Sequence, residues 1–174
     1  VARITLAAGF SSAGSGADGS AGDKGNDNDY GGMDAATITA GDSGNTVYGD
    51  GGADPIVTGK GADVIDGGMD ADTITAGAGD DSIYGGMGTD EIVAGAGADY
   101  IDGGYDDDTI TGGGGCETVG GGEGPGSVRI VGVADDLTFQ KQAPRAARAA
   151  NITRGLWFGV GLTTESFKSP GHLG

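Results

Sequence analysis

The sequence of 174 residues holds one cysteine, one histidine, one tryptophan and four prolines. With Cys116 alone no intrachain disulfide can form, so stability in an oxidising medium must come from another source, and bound metal is the usual substitute. With His172 alone the H-E-x-x-H site of a metalloprotease is excluded. The sequence also lacks a G-x-S-x-G elbow, a Cys/His pair and a phosphate-binding P-loop. The expectation is therefore a chain without an active site of its own. Proline is too scarce for a polyproline linker, and glycine follows no triplet, which excludes collagen. No apolar run reaches membrane-spanning length, so no transmembrane segment is expected. The start at Val1, without Met or a charged-then-apolar leader, predicts a processed piece of a longer precursor.

Positive charge is scarce as well, and unevenly placed. Residues 1–127 carry 3 basic and 23 acidic side chains, whereas residues 128–174 carry 6 basic and 3 acidic. The long acidic part repels nucleic acid and anionic lipid, which leaves cations as its natural partner. What the sequence has in abundance is glycine, 41 residues, with acids at regular places among them.

Large aliphatic residues recur at a fixed interval of nine: Ile38, Val47, Ile56, Ile65, Ile74, Ile83, Ile92, Ile101, Ile110, Val119 and Val128. No helical period produces this spacing, and a repeating short strand does. Around each aliphatic one frame returns, as in GGMDADTIT (67–75), AGAGDDSIY (76–84), GGMGTDEIV (85–93) and AGAGADYID (94–102). A longer period overlies it: residues 31–66 and 67–102 agree at 22 of 36 positions, and GGYDDDTITGGGG begins a third copy.

The frame resembles the RTX (repeats-in-toxin) nonapeptide G-G-x-G-x-D-x-U-x, in which U is a large apolar residue, over roughly residues 31–129. The resemblance implies an all-β fold, a right-handed parallel β-roll (β-solenoid) with two nonapeptides per turn. It also implies calcium as the ligand and an extracellular or cell-surface location reached by type I secretion. The expected organisation is a Gly/Ser/Asp-rich cap or frayed repeats over residues 1–30, the roll over 31–129, and a basic C-terminal cap or tail over 130–174.

The residues support the same reading without the family. Three residues of each nonapeptide, such as Thr73, Ile74 and Thr75, suit a short strand with the aliphatic inside, and the other six suit a turn. Glycines in the turn permit positive φ and leave carbonyls uncovered, so that oxygen can face a hard cation. Stacked strands lie about 4.8 Å apart, so the sixth-position Asp residues fall into two columns. One column is Asp54, Asp72, Asp90 and Asp108; the other is Asp63, Asp81 and Asp99, flanked by Asn45 and Glu117. Neighbours at about 5 Å repel by roughly 0.8 kcal/mol in water and several times that in a lower dielectric. A divalent ion between successive loops reverses this, with six to eight oxygen ligands from two Asp side chains and backbone carbonyls. The predicted ligands are those seven Asp residues and the turn glycines Gly59, Gly61, Gly68, Gly77, Gly79, Gly86, Gly88, Gly95, Gly97 and Gly104. They form about five good Ca2+ sites, with about two weaker ones where Asn45 meets Asp63 and Asp99 meets Glu117. Two large side chains per turn bury too little apolar surface to offset the ordering of a glycine-rich backbone, so calcium is expected to drive folding.

Several positions depart from the frame. Asp34, Asp70 and Asp106 stand where glycine belongs at position four; Asp tolerates the left-handed region, and the side chain is either an added ligand or a solvated turn residue. Ala36 replaces the first-coil Asp, and Pro55 removes one ladder donor. Ser20 and Asp29 occupy aliphatic places. Cys116 is expected in a turn, exposed. The outward Thr37, Thr39, Thr73, Thr75, Thr109 and Thr111 recur only every second turn, with Glu91 and Pro55 between, which argues against an ice-binding ladder; lateral packing accounts better for outward Val57, Val93, Tyr48 and Tyr84.

Beyond Ser127 the frame stops. SVRIVGV reads as a final strand or two, residues 143–150 as a short basic helix and residues 156–162 as a strand. The tail is read as an end cap; it is more basic than a type I secretion signal and lacks an acidic or apolar end. Two functions fit: a structural or adhesive module, such as an S-layer or filament subunit whose partners are calcium and copies of itself or a cell-surface component, and an accessory roll of a secreted protease, lipase, epimerase or toxin.

Overall fold

A computed structural model describes residues 3–6, 10–12, 19–22, 25–120, 128–130 and 136–140. These residues form two parallel sheets and no helix. One sheet holds Arg3–Leu6, Gly19–Gly22, Thr37–Thr39, Pro55–Val57, Thr73–Ala78, Glu91–Ala96, Asp108–Gly114 and Val128–Ile130. The other holds Phe10–Ser12, Asn28–Tyr30, Thr46–Tyr48, Val64–Met69, Ser82–Met87, Tyr100–Tyr105, Cys116–Gly120 and Asp136–Gln140. Successive strands alternate between sheets, so the chain winds as a β-solenoid with two nonapeptides to the turn, about 5 turns of it in the continuous stretch 25–120. The readings on residues 143–150 and 156–162 lie outside the described residues.

The register follows from stacking like on like. Ile38, Ile56, Ile74, Ile92 and Ile110 lie level in one sheet, and Val47, Ile65, Ile83, Ile101 and Val119 in the other. All ten are fully buried, with Ala36, Ala40, Ala76 and Ala94 completing the core. Their flanking residues point outward, because alternate side chains of a strand face opposite ways.

The ends of the stack change register. Val128 lies level with Asp108, and it is Ile130 that continues the column of Ile110. The nine-residue spacing that joins Val119 to Val128 in the sequence is therefore coincidental at its last step. Two extra residues fall in the intervening segment, and Asp136–Gln140 keeps the new offset against Cys116–Gly120. At the other end Asp29 stands in the aliphatic column, level with Val47 and buried, and Ser20 lies level with Ile38. The backbone ladder thus continues through polar residues at these two positions. Pro55 has the local effect its missing N–H dictates: it pairs with Thr73 on one side, while pairing with the preceding coil begins only at Ile56.

Glycine is required where turns stack. Gly86 has φ 106°, and a Cβ there would meet the carbonyl oxygen of Gly68 in the coil below. Gly114 has open space around the same point. Gly86→Ala should therefore lower stability by about 2 kcal/mol or more, from backbone strain and the clash combined. Gly114→Ala should be near neutral. Urea midpoints of both variants in saturating calcium check this; equal midpoints would overturn it.

Candidate metal centre

Each sixth-position Asp closes a turn where a strand begins, with its side chain buried. Asp54, Asp72, Asp90 and Asp108 stack along one edge of the roll, and Asp63, Asp81 and Asp99 along the other. All seven are at most 2% exposed. Asn45 precedes the second column and Glu117 follows it, both buried.

The two oxygens of each carboxylate have different tasks. Oδ1 accepts the backbone N–H of the residue 18 positions earlier: Ala36 to Asp54 at 2.7 Å, Asp54 to Asp72 at 2.8 Å, Asp72 to Asp90 at 2.9 Å and Asp90 to Asp108 at 3.0 Å. The second column repeats this with Asn45 to Asp63 at 2.7 Å, Asp63 to Asp81 at 2.9 Å and Asp81 to Asp99 at 3.0 Å. Oδ2 of all seven is buried and takes no hydrogen bond from the protein. Buried acceptors are seldom left this way, and seven in two columns form a pattern with one cause. At about 1–3 kcal/mol for each unsatisfied group, and more when charged, the total rivals the 5–15 kcal/mol that holds an ordinary domain together.

The turns supply the rest of the ligand set. Gly61, Gly68, Gly77, Gly79, Gly86, Gly88, Gly95, Gly97 and Gly104 all have positive φ, while Gly59 does not. Their carbonyls stack as well: Gly59 oxygen faces Gly77, whose own oxygen faces Gly95, and Gly61, Gly79 and Gly97 repeat this. Such close approach is open only to residues without a Cβ. Asp70 and Asp106 adopt the left-handed region in place of glycine, at φ 75° and 77°, as does Asp50 at 68°; Asp34 does not. Among the described residues no three His, Cys, Asp or Glu side chains converge on one point. Single carboxylates from successive coils together with backbone carbonyls could hold an ion here, a hard all-oxygen set that would suit Ca2+.

Residues 30–65, 48–83, 66–101 and 84–115 match the RTX calcium-binding nonapeptide repeat, in four copies. Over residues 30–115 the chain belongs to this family. The RTX roll is a Ca2+-binding β-roll domain of a kind typical of secreted bacterial proteins. No curated protein matches the chain.

The electrostatics of the RTX roll agree with its need for cations. Burial pushes Asp54 and Asp81 up to about 6, and Asp72 and Asp108 up to about 7. The amide that each Oδ1 accepts offsets this in part, and neighbouring carboxylates add to it. Burial raises Asp63, Asp90 and Asp99 in the same direction. The two edges are not equivalent. On the first, Oδ2 of Asp54 and Asp72 lies 2.7 and 2.5 Å from where a Cβ on Gly49 and Gly67 would stand. On the second, Thr58, Ala76 and Ala94 carry a Cβ at the same place in the repeat. Asn45 shows what a neutral residue does there: its Oδ1 accepts the Asp27 amide at 3.0 Å, and its Nδ2 donates to the Ser43 carbonyl at 2.6 Å. Cys116 is exposed and opens a strand.

Spacing alone does not reveal the amide-to-carboxylate ladder. It places side chains, but it does not say which oxygen the backbone claims and which it leaves for a ligand.

Proposed function

We propose that this chain is a calcium-dependent structural roll of a secreted or cell-surface bacterial protein, a scaffold, S-layer, filament or adhesion module without catalysis of its own. The observation that carries the reading is the set of seven buried carboxylates, each with Oδ2 free of protein donors. A structure that commits its interior acids to ions has its rigidity set by the calcium level outside the cell. About five ions on the Asp pairs, and about two more at Asn45/Asp63 and Asp99/Glu117, complete the centre.

The outer faces support a role in lateral contact. Val57 and Val64 are 44% and 42% exposed, on opposite sheets, and no helix long and apolar enough to cross a membrane occurs among the described residues. Exposed apolar side chains on both outer faces favour packing against a second surface. Sedimentation over a rising protein concentration is the test. In calcium the chain should shift from monomer to larger species, and chelation should remove them. A chain that stays monomeric at high concentration in calcium belongs instead to the accessory class, serving a catalytic domain carried elsewhere.

A further inference from the structure

A groove of about 460 Å³ runs along the second sheet, parallel to the axis of the stack. One wall is the column Met69, Met87 and Tyr105; the other is the column Asp66, Tyr84 and Asp102. Between them the floor is glycine backbone, because the first two residues of each of these turns, such as Gly85 and Gly86, carry no side chain. Met69 and Met87 are 58% and 53% exposed, which is unusual for residues of that size. Asp50 lies at one end, and it joins burial in raising the pKa of half-buried Asp66.

The groove is thus apolar on one side and anionic on the other, with no basic residue in its lining. Lys60 is the one lysine or arginine in residues 25–120, and it pairs with Asp42, 2.9 Å away. The complementary occupant is a segment with apolar and cationic side chains and no acids. The chain contains one: residues 141–154, KQAPRAARAANITR, have Lys141, Arg145, Arg148 and Arg154 and no acidic residue.

Connection favours the same segment. Gln140 lies level with Gly120, which lies level with Asp102. The described chain therefore leaves the roll in the column that forms the acidic wall, two coils beyond Asp102 and four beyond Asp66. At about 4.8 Å per coil these carboxylates are about 10 and 19 Å away. Arg145 lies five residues past Gln140 and Arg148 eight, spans of up to about 16 and 26 Å at about 3.3 Å per residue. Arg145 thus reaches Asp102 and Arg148 reaches both acids, and each guanidinium offers a planar fork for a carboxylate and a flat face for Tyr84.

We propose that the basic segment 141–154 docks into this groove of its own roll, with Arg145 and Arg148 against Asp102 and Asp66. Docking covers the exposed methionines and keeps the acidic wall from other cations. The groove shares the turn glycines Gly68, Gly86 and Gly104 with the calcium centre, but its acids Asp66 and Asp102 are not among the buried carboxylates of that centre.

Trypsin cleavage after Arg145 and Arg148, followed by mass spectrometry on the full chain in saturating calcium, tests it. At low ionic strength the D66N/D102N variant should be cut at least about tenfold faster than the parent chain, and 0.5 M salt should erase the difference, because the contact is partly exposed and screened. D80N, an exposed acid of the other edge whose replacement keeps an acceptor for the Ala98 amide, should leave the rate unchanged. Far-ultraviolet dichroism in calcium confirms that each variant is folded. Equal rates for the parent chain and D66N/D102N, or an equal effect of D80N, would overturn the proposal. Protection that grows with protein concentration would also overturn it, by assigning the groove to the tail of a second copy. The salt dependence of the parent chain is read without any variant, so a D66N/D102N chain that failed to fold would not end the test.

Discussion

Chelating calcium at neutral pH should remove most of the β-sheet signal of the chain, and restoring calcium should bring it back. Without ions, seven carboxylates remain buried, most of them ionised, each with one oxygen facing neither water nor a donor. Their columns repel along both edges, and burial disfavours the charged form in every one. The apolar core that must resist this is one aliphatic column per sheet with a few alanines. Such a core cannot carry buried, unpaired charge. Circular dichroism at 218 nm and hydrodynamic radius, measured across a calcium titration, should change together in one cooperative transition. Magnesium should substitute poorly, since it demands a tight octahedron that backbone carbonyls on stacked turns do not provide. A metal-free chain with the same spectrum and radius as the calcium form would refute the assignment of these carboxylates.

In the absence of calcium, acid should do in part what the ion does. Asp54 and Asp81 titrate at about 6 in the fold, and Asp72 and Asp108 at about 7, against an ordinary 3.8. Because the folded form binds these protons more tightly than the unfolded chain, lowering the pH favours folding. The penalty is absent below about pH 4, grows through the interval and is complete above about pH 7. A chelated sample taken from pH 8 to pH 4 should therefore gain sheet as the pH falls, the reverse of ordinary acid denaturation. At pH 6 to 7, binding of calcium should release protons, detectable as a dependence of calorimetric heat on the buffer's ionisation enthalpy. Asp72→Asn combined with Asp108→Asn should act as a permanent version of the acid form, with a more stable metal-free roll and weaker calcium binding. Asn45 already demonstrates that an amide fits the position. A metal-free chain that loses structure on acidification would contradict the burial of these groups.

The inner column was legible because its signal is redundant: ten aliphatics from Ile38 to Val119 each fix the same register, and a slip by one residue would turn all of them outward. The two acidic columns follow from the same spacing, since a residue fixed relative to one aliphatic is fixed relative to all. Where redundancy ends, so does legibility. After Val119 the segment GGGEGPGS offers no side chain to mark the frame, and Val128, an apolar residue in phase by accident, is displaced in favour of Ile130. Pairing Ile130 with Ile110 keeps the strand ladder continuous. Asp29 failed to mark a strand because polarity at an inner position argues against burial, yet a ladder running 18 residues on to Val47 places it there. The groove was hidden for another reason. Met69 and Asp66 are three residues apart and belong to different parts of the repeat, and only the bend at the intervening glycines turns both toward one space.

The hydrogen bonds within the acidic columns all point the same way: the amide comes from residue i and the carboxylate from i+18. Within these columns every coil takes its carboxylate acceptor from its successor, whereas the strand ladder also runs the other way, as in the Thr73 N–H to the Asp54 carbonyl. The columns have a direction, like an arrow. Within the columns, loss of the N-terminal coil frees a carboxylate oxygen that water or a cation can satisfy, whereas loss of the C-terminal coil frees a backbone N–H. As far as these bonds go, a turn added on the N-terminal side arrives on a carboxylate already in position.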